Sequence, residues 1–201
     1  MFSAFRIKAR AETSKLDNWG TGWYYKDKVI TAAHVIEGCT IYFAEFGKEW
    51  YELELIKTDA EADVSVLKFK NKTLVYSPIN LKEGKIKEGE SIHSFMGVNG
   101  QPLVHNFGKF VNKKSDLGSY LSIVHIPAAS GASGSAILTD SNKVVGMLIQ
   151  GYVLPYWQAN KEDLKDWCKL FRLKEIKSKE DVKNYWQIVP IRIINEVIKG
   201  K

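Results

Sequence analysis

The stretch Ala129-Ser130-Gly131-Ala132-Ser133-Gly134-Ser135-Ala136-Ile137 decides how this chain is read. It consists of small residues up to Ile137, with a glycine on either side of Ser133. Glycine adopts backbone angles that other residues avoid, so the stretch predicts a tight bend that opens into a strand. Working outward, the chain on both sides reads as short strands. Phe5-Arg6-Ile7-Lys8-Ala9 alternates apolar and polar residues, as a half-buried strand does. Residues 22–25 and 28–31 flank a short turn at Lys26-Asp27. Residues 40–46, 50–57 and 64–69 follow, rich in β-branched and aromatic side chains. Further strands are expected at 90–96, 103–111, 120–126, 135–138 and 144–149, punctuated by Gly, Asn and Asp. Many short strands spaced by about 8–12 residues imply a sandwich or barrel.

The end of the chain has another period. Leu164, Trp167, Cys168 and Phe171 fall on one face of a helix, near residues 160–172. Ile191, Ile194, Val197 and Ile198 repeat the pattern over 191–199, with Pro190 just before them as at a helix start. Residues 185–189 read as a last strand. No internal repeat, low-complexity tract or flexible linker stands out.

Three local patterns carry reactive side chains. A strand runs into small residues and a histidine in Val29-Ile30-Thr31-Ala32-Ala33-His34. A carboxylate stands at the mouth of an apolar strand in Ala62-Asp63-Val64-Ser65-Val66-Leu67. The third is the bend around Ser133. A serine hydroxyl is a poor nucleophile at neutral pH, and a neutral imidazole within hydrogen-bond reach can take its proton during attack. A carboxylate on the other ring nitrogen fixes the tautomer and stabilises the imidazolium that forms. Backbone N–H groups of Gly131 and Ser133 could hold the oxyanion if the bend turns both toward one point. Each pattern alone also fits a plain turn, cap or packed histidine. A G-x-S-x-G elbow is a rival reading of the serine, but Gly131 to Ser135 lacks the last glycine and a strand follows rather than a helix. The order His, Asp, Ser, with gaps of 29 and 70 residues, is stronger than any one pattern.

Taken together these motifs resemble the trypsin-like (chymotrypsin-fold) serine peptidase superfamily, and most closely its compact HtrA-like, glutamyl-endopeptidase-like and viral members. Gly20-Thr21-Gly22-Trp23 is similar to the family's Gly-Ser-Gly-Phe opening. Ile30 to Val35 resembles its histidine motif, and Asp59 to Leu67 its aspartate motif. Ile79 to Leu81, Ile86 to Glu90 and Phe95 to Gly97 resemble the inter-barrel stretch of HtrA peptidases. Gly131 to Ile137 followed by Lys143 to Met147 resembles flavivirus-type proteases, and Gln187 to Pro190 the HtrA end. The resemblance runs from about residue 19 to 198, with 152–184 unmatched. It implies an all-β fold of two perpendicular six-stranded Greek-key barrels. Residues 1–80 would carry His34 and Asp63, and residues 81–201 would carry Ser133, a helical insertion at 152–184 and the terminal helix. It further implies a Ser-His-Asp triad acting on protein or peptide substrates, with no cofactor and no metal.

The departures are informative. Ala132 stands where secreted members carry the aspartate of their zymogen switch, so the resemblance implies no activation by N-terminal trimming. Matching 144–151 to the family's penultimate strand puts Ile149, Gln150 and Gly151 along the primary specificity pocket, with substrate pairing by strand addition. Pro127, beside Ala128, falls at the pocket base, so cleavage after Lys or Arg is not supported. Ile149 replaces a residue whose hydroxyl usually bonds the triad aspartate. His125 lies near the pocket and reads as a strand histidine, as do His93 and His105.

Other classes fit less well. The chain of 201 residues carries 29 basic and 23 acidic residues, a net charge of +6 that is interspersed along the sequence. Such a surface does not indicate nucleic-acid or membrane binding, which would show as steep salt dependence. No apolar run approaches the roughly 20 residues of a membrane helix. Arg6, Lys8 and Arg10 interrupt the opening, so no signal peptide is expected. Cys39 and Cys168 form no disulfide framework, and a cytoplasmic location is expected. Four histidines and two cysteines show no metal-ligand spacing. One alternative stays open: a protease-fold peptide-binding module that is catalytically silent or activated by a partner. The 152–184 insertion is expected to shape substrate access or dock a partner.

Overall fold

The structure is a computed structural model and describes residues 3–14, 16–70, 80–98, 100–112, 121–151 and 184–200. Thirteen strands and two helices are found among them. The first six strands are β1 (Ala4–Arg10), β2 (Asn18–Tyr25), β3 (Lys28–Thr31), β4 (Ile41–Phe46), β5 (Glu49–Asp59) and β6 (Val64–Phe69). They close a barrel in the order β1-β2-β3-β6-β5-β4, with β4 returning to pair with β1. The alternation read in β1 places Phe5, Ile7 and Ala9 inside, against Trp23, Ile30, Val66 and Leu67. Lys26 and Asp27 both have positive φ, 49° and 58°, as a two-residue hairpin between right-twisted strands requires.

The second barrel contains β8 (Ser91–Val98), β9 (Gln101–Asn112), β10 (Ser122–His125), β11 (Ala136–Thr139), β12 (Lys143–Gly151) and β13 (Tyr185–Pro190). These run in the order β11-β8-β9-β10-β13-β12, and a β11–β12 pairing closes the ring. Its core holds Ile92, Met96, Phe110, Val124, Ile137, Leu148 and Ile188. A two-residue strand, β7 (Lys82–Glu83), adds parallel to β12. The result is two closed six-stranded antiparallel barrels, the all-β chymotrypsin-like architecture expected.

Two short elements were not expected. One is β7. The other is α1 (Ala33–Ile36), a single helical turn that carries His34. The strand expected to stop before Gly97 runs on to Val98, which pairs with Gln101; the register shifts at Gly97, whose N–H bonds a side chain of the first barrel instead. The terminal helix α2 (Ile191–Lys199) is as read from its period, with Pro190 as its N-cap residue and Gly200 closing it at φ 75°. Apart from Asn184, the insertion expected at 152–184, with the helix expected near 160–172 and Cys168, lies outside the described residues. No described helix is long and apolar enough to cross a membrane.

Candidate active site

His34 and Asp63 meet because β3 and β6 are neighbours in the first barrel, and each residue sits at an end where the chain leaves the sheet. The Ala33 N–H donates to the Asp63 carbonyl at 3.2 Å. The His34 N–H donates to Asp63 Oδ1 at 2.9 Å, and His34 Nδ1 lies 2.7 Å from Oδ2. A carboxylate can only accept, so the proton sits on Nδ1 and the Nε2 lone pair is left to act as a base. Asp63 reaches this position with φ 53°, a left-handed value that Asp tolerates better than most residues. The preceding turn is tied by the Ala62 N–H on Asp59 Oδ1 at 2.9 Å. The imidazole is 44% exposed and the carboxylate 22%, so the ring edge is open to a reactant while its partner is held back.

Ser133 stands on the bend between β10 and β11, where Gly131 and Gly134 have φ of 92° and 89°. A Cβ on Gly134 would lie 2.0 Å from the Thr21 carbonyl oxygen, so only glycine fits there. The Ala132 carbonyl accepts from the Ser135 N–H at 3.1 Å and from Ser135 Oγ at 2.6 Å. The peptide unit is planar and trans, so this turns the Ser133 N–H to the opposite side. Among the described residues the N–H groups of Gly131 and Ser133 have no acceptor. Two donors are therefore unspent beside the hydroxyl.

The Ser133 hydroxyl itself donates to the Ile149 carbonyl at 3.1 Å. Among the described residues no hydrogen bond joins it to His34. Ile149 sits at an irregularity of β12, between Leu148 paired with Ile188 and Gln150 paired with Gln187. Its side chain is buried in the apolar cluster that runs from the first barrel into the second. It offers no hydroxyl to Asp63, whose two oxygens are both engaged by His34.

The decisive comparison is with the trypsin-like peptidase domain family, whose profile matches residues 20–147. The chain belongs to the trypsin-like peptidase domain family. Among solved structures it is similar to the active form of the Rv3671c protease from M. tuberculosis, with a TM-score of 0.72 at 15% identity, covering 98% of this chain and 79% of that one. It is also similar to a serine endoprotease from Yersinia pestis, with a TM-score of 0.72 at 12% identity, covering 98% of this chain and 62% of that one. An HtrA-type protease, AlgW, solved with a tripeptide, gives a TM-score of 0.74 at 14% identity, covering 98% of this chain and 59% of that one. No curated protein sequence matches the chain significantly.

In this trypsin-like domain the residues expected at the specificity pocket lie on β12 and on the segment leaving β10. Pro127 is exposed and Ala128 half-buried on the segment leaving β10, and the Pro127 carbonyl accepts from Asn106 Nδ2 at 2.8 Å. Gln150 is exposed on β12 and Gly151 pairs with Trp186. The Gly134 N–H bonds the Leu148 carbonyl at 2.7 Å and so ties the serine bend to β12. His125 packs its ring on Tyr185, with centroids 4.7 Å apart. His93 is a strand residue of β8, as expected, and both its ring nitrogens are engaged. Its Nε2–H reaches the Thr139 carbonyl and its Nδ1 takes a bond from His105 Nε2, each at 3.0 Å. Burial, then the neighbouring His105, hold its pKa below the ordinary imidazole value.

Sequence reasoning missed two features of the site. One is a hollow of about 400 Å³ beside His34 and Asp63, walled by Ile36, Tyr42, Leu55 and Ala60 together with the free thiol of Cys39. Only the barrel closure brings these residues together. The other is Thr21, legible as part of a motif but not as a participant.

Proposed function

We propose that this chain is a serine endopeptidase in which Ser133, His34 and Asp63 form the catalytic triad. The observation that carries this reading is the Asp63 clasp on His34, which leaves Nε2 as the free base on an exposed ring edge. Ser133 Oγ attacks the scissile carbonyl carbon and His34 Nε2 takes its proton. The carbonyl oxygen, now negative, is held by the N–H groups of Gly131 and Ser133. The intermediate collapses as His34 returns the proton to the leaving amine, and an acyl group remains on Ser133. Water then attacks with His34 again as base, releasing the acid and restoring the hydroxyl.

Substrate adds as a strand along Ile149, Gln150 and Gly151, with Pro127 and Ala128 bordering the pocket for the residue before the cut. A substrate N–H that takes the Ile149 carbonyl displaces the Ser133 hydroxyl from it, so binding itself frees the nucleophile to turn to His34. Pro127 at the pocket base gives no carboxylate for a basic side chain. The free Cys39 thiol suits a reducing compartment, the cytoplasm.

A second reading is kept by one observation, the Ser133 hydroxyl bonded to Ile149 rather than to His34. In it the fold binds peptides and stays silent until a partner acts. Covalent labelling by a fluorophosphonate separates the two. Wild type is expected to label and Ser133→Ala not to; folded wild type that does not label overturns the peptidase reading in favour of the silent module.

A further inference from the structure

We infer that Thr21 is a positioning residue for this chemistry, its hydroxyl holding the peptide that sets the oxyanion donors; the inference rests on the serine peptidase reading. Thr21 lies on β2 of the first barrel, is fully buried, and stands directly behind the serine bend of the second. Its Oγ1 accepts from the Gly97 N–H at 2.8 Å, so its own hydrogen is directed to its other partner, the Gly131 carbonyl at 2.9 Å. Its main-chain N–H donates to the Ser133 carbonyl at 2.8 Å. Its carbonyl is fixed in turn by Thr31 Oγ1 at 2.8 Å.

The peptide between Gly131 and Ala132 is thereby held at both ends. Its carbonyl is on Thr21 Oγ1, and its N–H is on the Ala129 carbonyl at 3.0 Å. Gly131 is the flexible point of the bend, free of a Cβ and at φ 92°. Without the hydroxyl this peptide is pinned at one end only, and rotation about it re-aims the Gly131 N–H beside it. An oxyanion donor acts only when it is preorganised, so the consequence falls on the transition state rather than on substrate binding. The same hydroxyl couples the barrels, because β8 supplies the Gly97 N–H that orients it.

Shape does not account for the residue. Valine fills the same space without the hydroxyl, and serine keeps the hydroxyl without the methyl. Removing an oxyanion donor outright costs on the order of 100–1,000-fold in kcat, so loosening one is expected to cost about 10–100-fold. The test compares peptide cleavage by wild type, Thr21→Val and Thr21→Ser per folded molecule, with folding followed by circular dichroism. Thr21→Val is expected to lose kcat by that factor with KM within about threefold, and Thr21→Ser to restore kcat to within about threefold of wild type. If Thr21→Val does not fold, Thr21→Cys, with its weak S–H donor, is expected to show the same loss in smaller degree. A folded Val or Cys variant with wild-type kcat, a loss confined to KM, or equal losses in Val and Ser would overturn the inference. A wild type that neither cleaves nor labels overturns the peptidase reading instead, and this inference with it.

Discussion

At the scale of single residues, Asp63 shows how a backbone conformation serves a side chain. Its φ of 53° turns the carboxylate back under His34, where Oδ1 takes a main-chain N–H and Oδ2 takes the ring. Asparagine tolerates the same left-handed angle, so Asp63→Asn keeps the turn and changes only the chemistry. Its amide group presents N–H where the carboxylate accepted, which favours the tautomer with the proton on Nε2 and removes the base. We expect kcat to fall on the order of 10,000-fold with the fold retained, as measured by peptide cleavage beside circular dichroism. A fall of less than about tenfold would mean that Asp63 does not set the tautomer. The roles proposed for His34, Asp63 and Ser133 come from their order and residue type in the sequence. The bond from Ser133 to Ile149 was not legible there, because a hydroxyl's partner depends on which carbonyl the fold brings near.

At the scale of elements, the serine bend is held from behind by β2 and β3. Gly134 is where the packing is tightest, with φ 89° and an added Cβ only 2.5 Å from Thr31 Oγ1. Gly134→Ala is expected to cost on the order of 2–4 kcal/mol from the left-handed backbone and the displaced strand together, read by urea denaturation. A change within about 0.5 kcal/mol would show that the bend has room the structure does not. The strands were readable because their alternation and their Gly, Asn and Asp punctuation are local. Helix α2 was readable because Pro190 and the spacing of Ile191, Ile194 and Val197 are local too. The short elements were hidden for the converse reason. Lys82–Glu83 becomes a strand only because β12 lies beside it, and α1 is a single turn with no period to detect.

At the scale of the whole molecule, the two barrels share more than a cleft. Helix α2 follows the last strand of the second barrel, and its Ile191, Ile194 and Val197 join the apolar cluster that both barrels share, with the helix packed on β5 and β6 as well as on β12 and β13. Tyr25 Oη donates to Asn195 Oδ1 at 3.0 Å, and Asn195 Nδ2 donates to Glu83 Oε2 at 3.0 Å. The helix therefore clasps both halves. Ile194 is fully buried, and Ile194→Ala is expected to cost about 2–5 kcal/mol in a single cooperative transition. Loss of the second barrel alone, with the first still folded, would contradict the clasp. This long-range coupling was not legible in the sequence, where the helix shows an apolar face but not what it covers. Thr21 is the same case: its partners lie 76 and 110 residues away along the chain.

The central claim, that Ser133 is a nucleophile activated by His34, is tested most directly by mapping a fluorophosphonate adduct by mass spectrometry in wild type, Ser133→Ala and His34→Ala. The account predicts one adduct in wild type, on the peptide that carries Ser133, and none in either variant. An adduct on another residue, or equal labelling of the His34 variant, would contradict it.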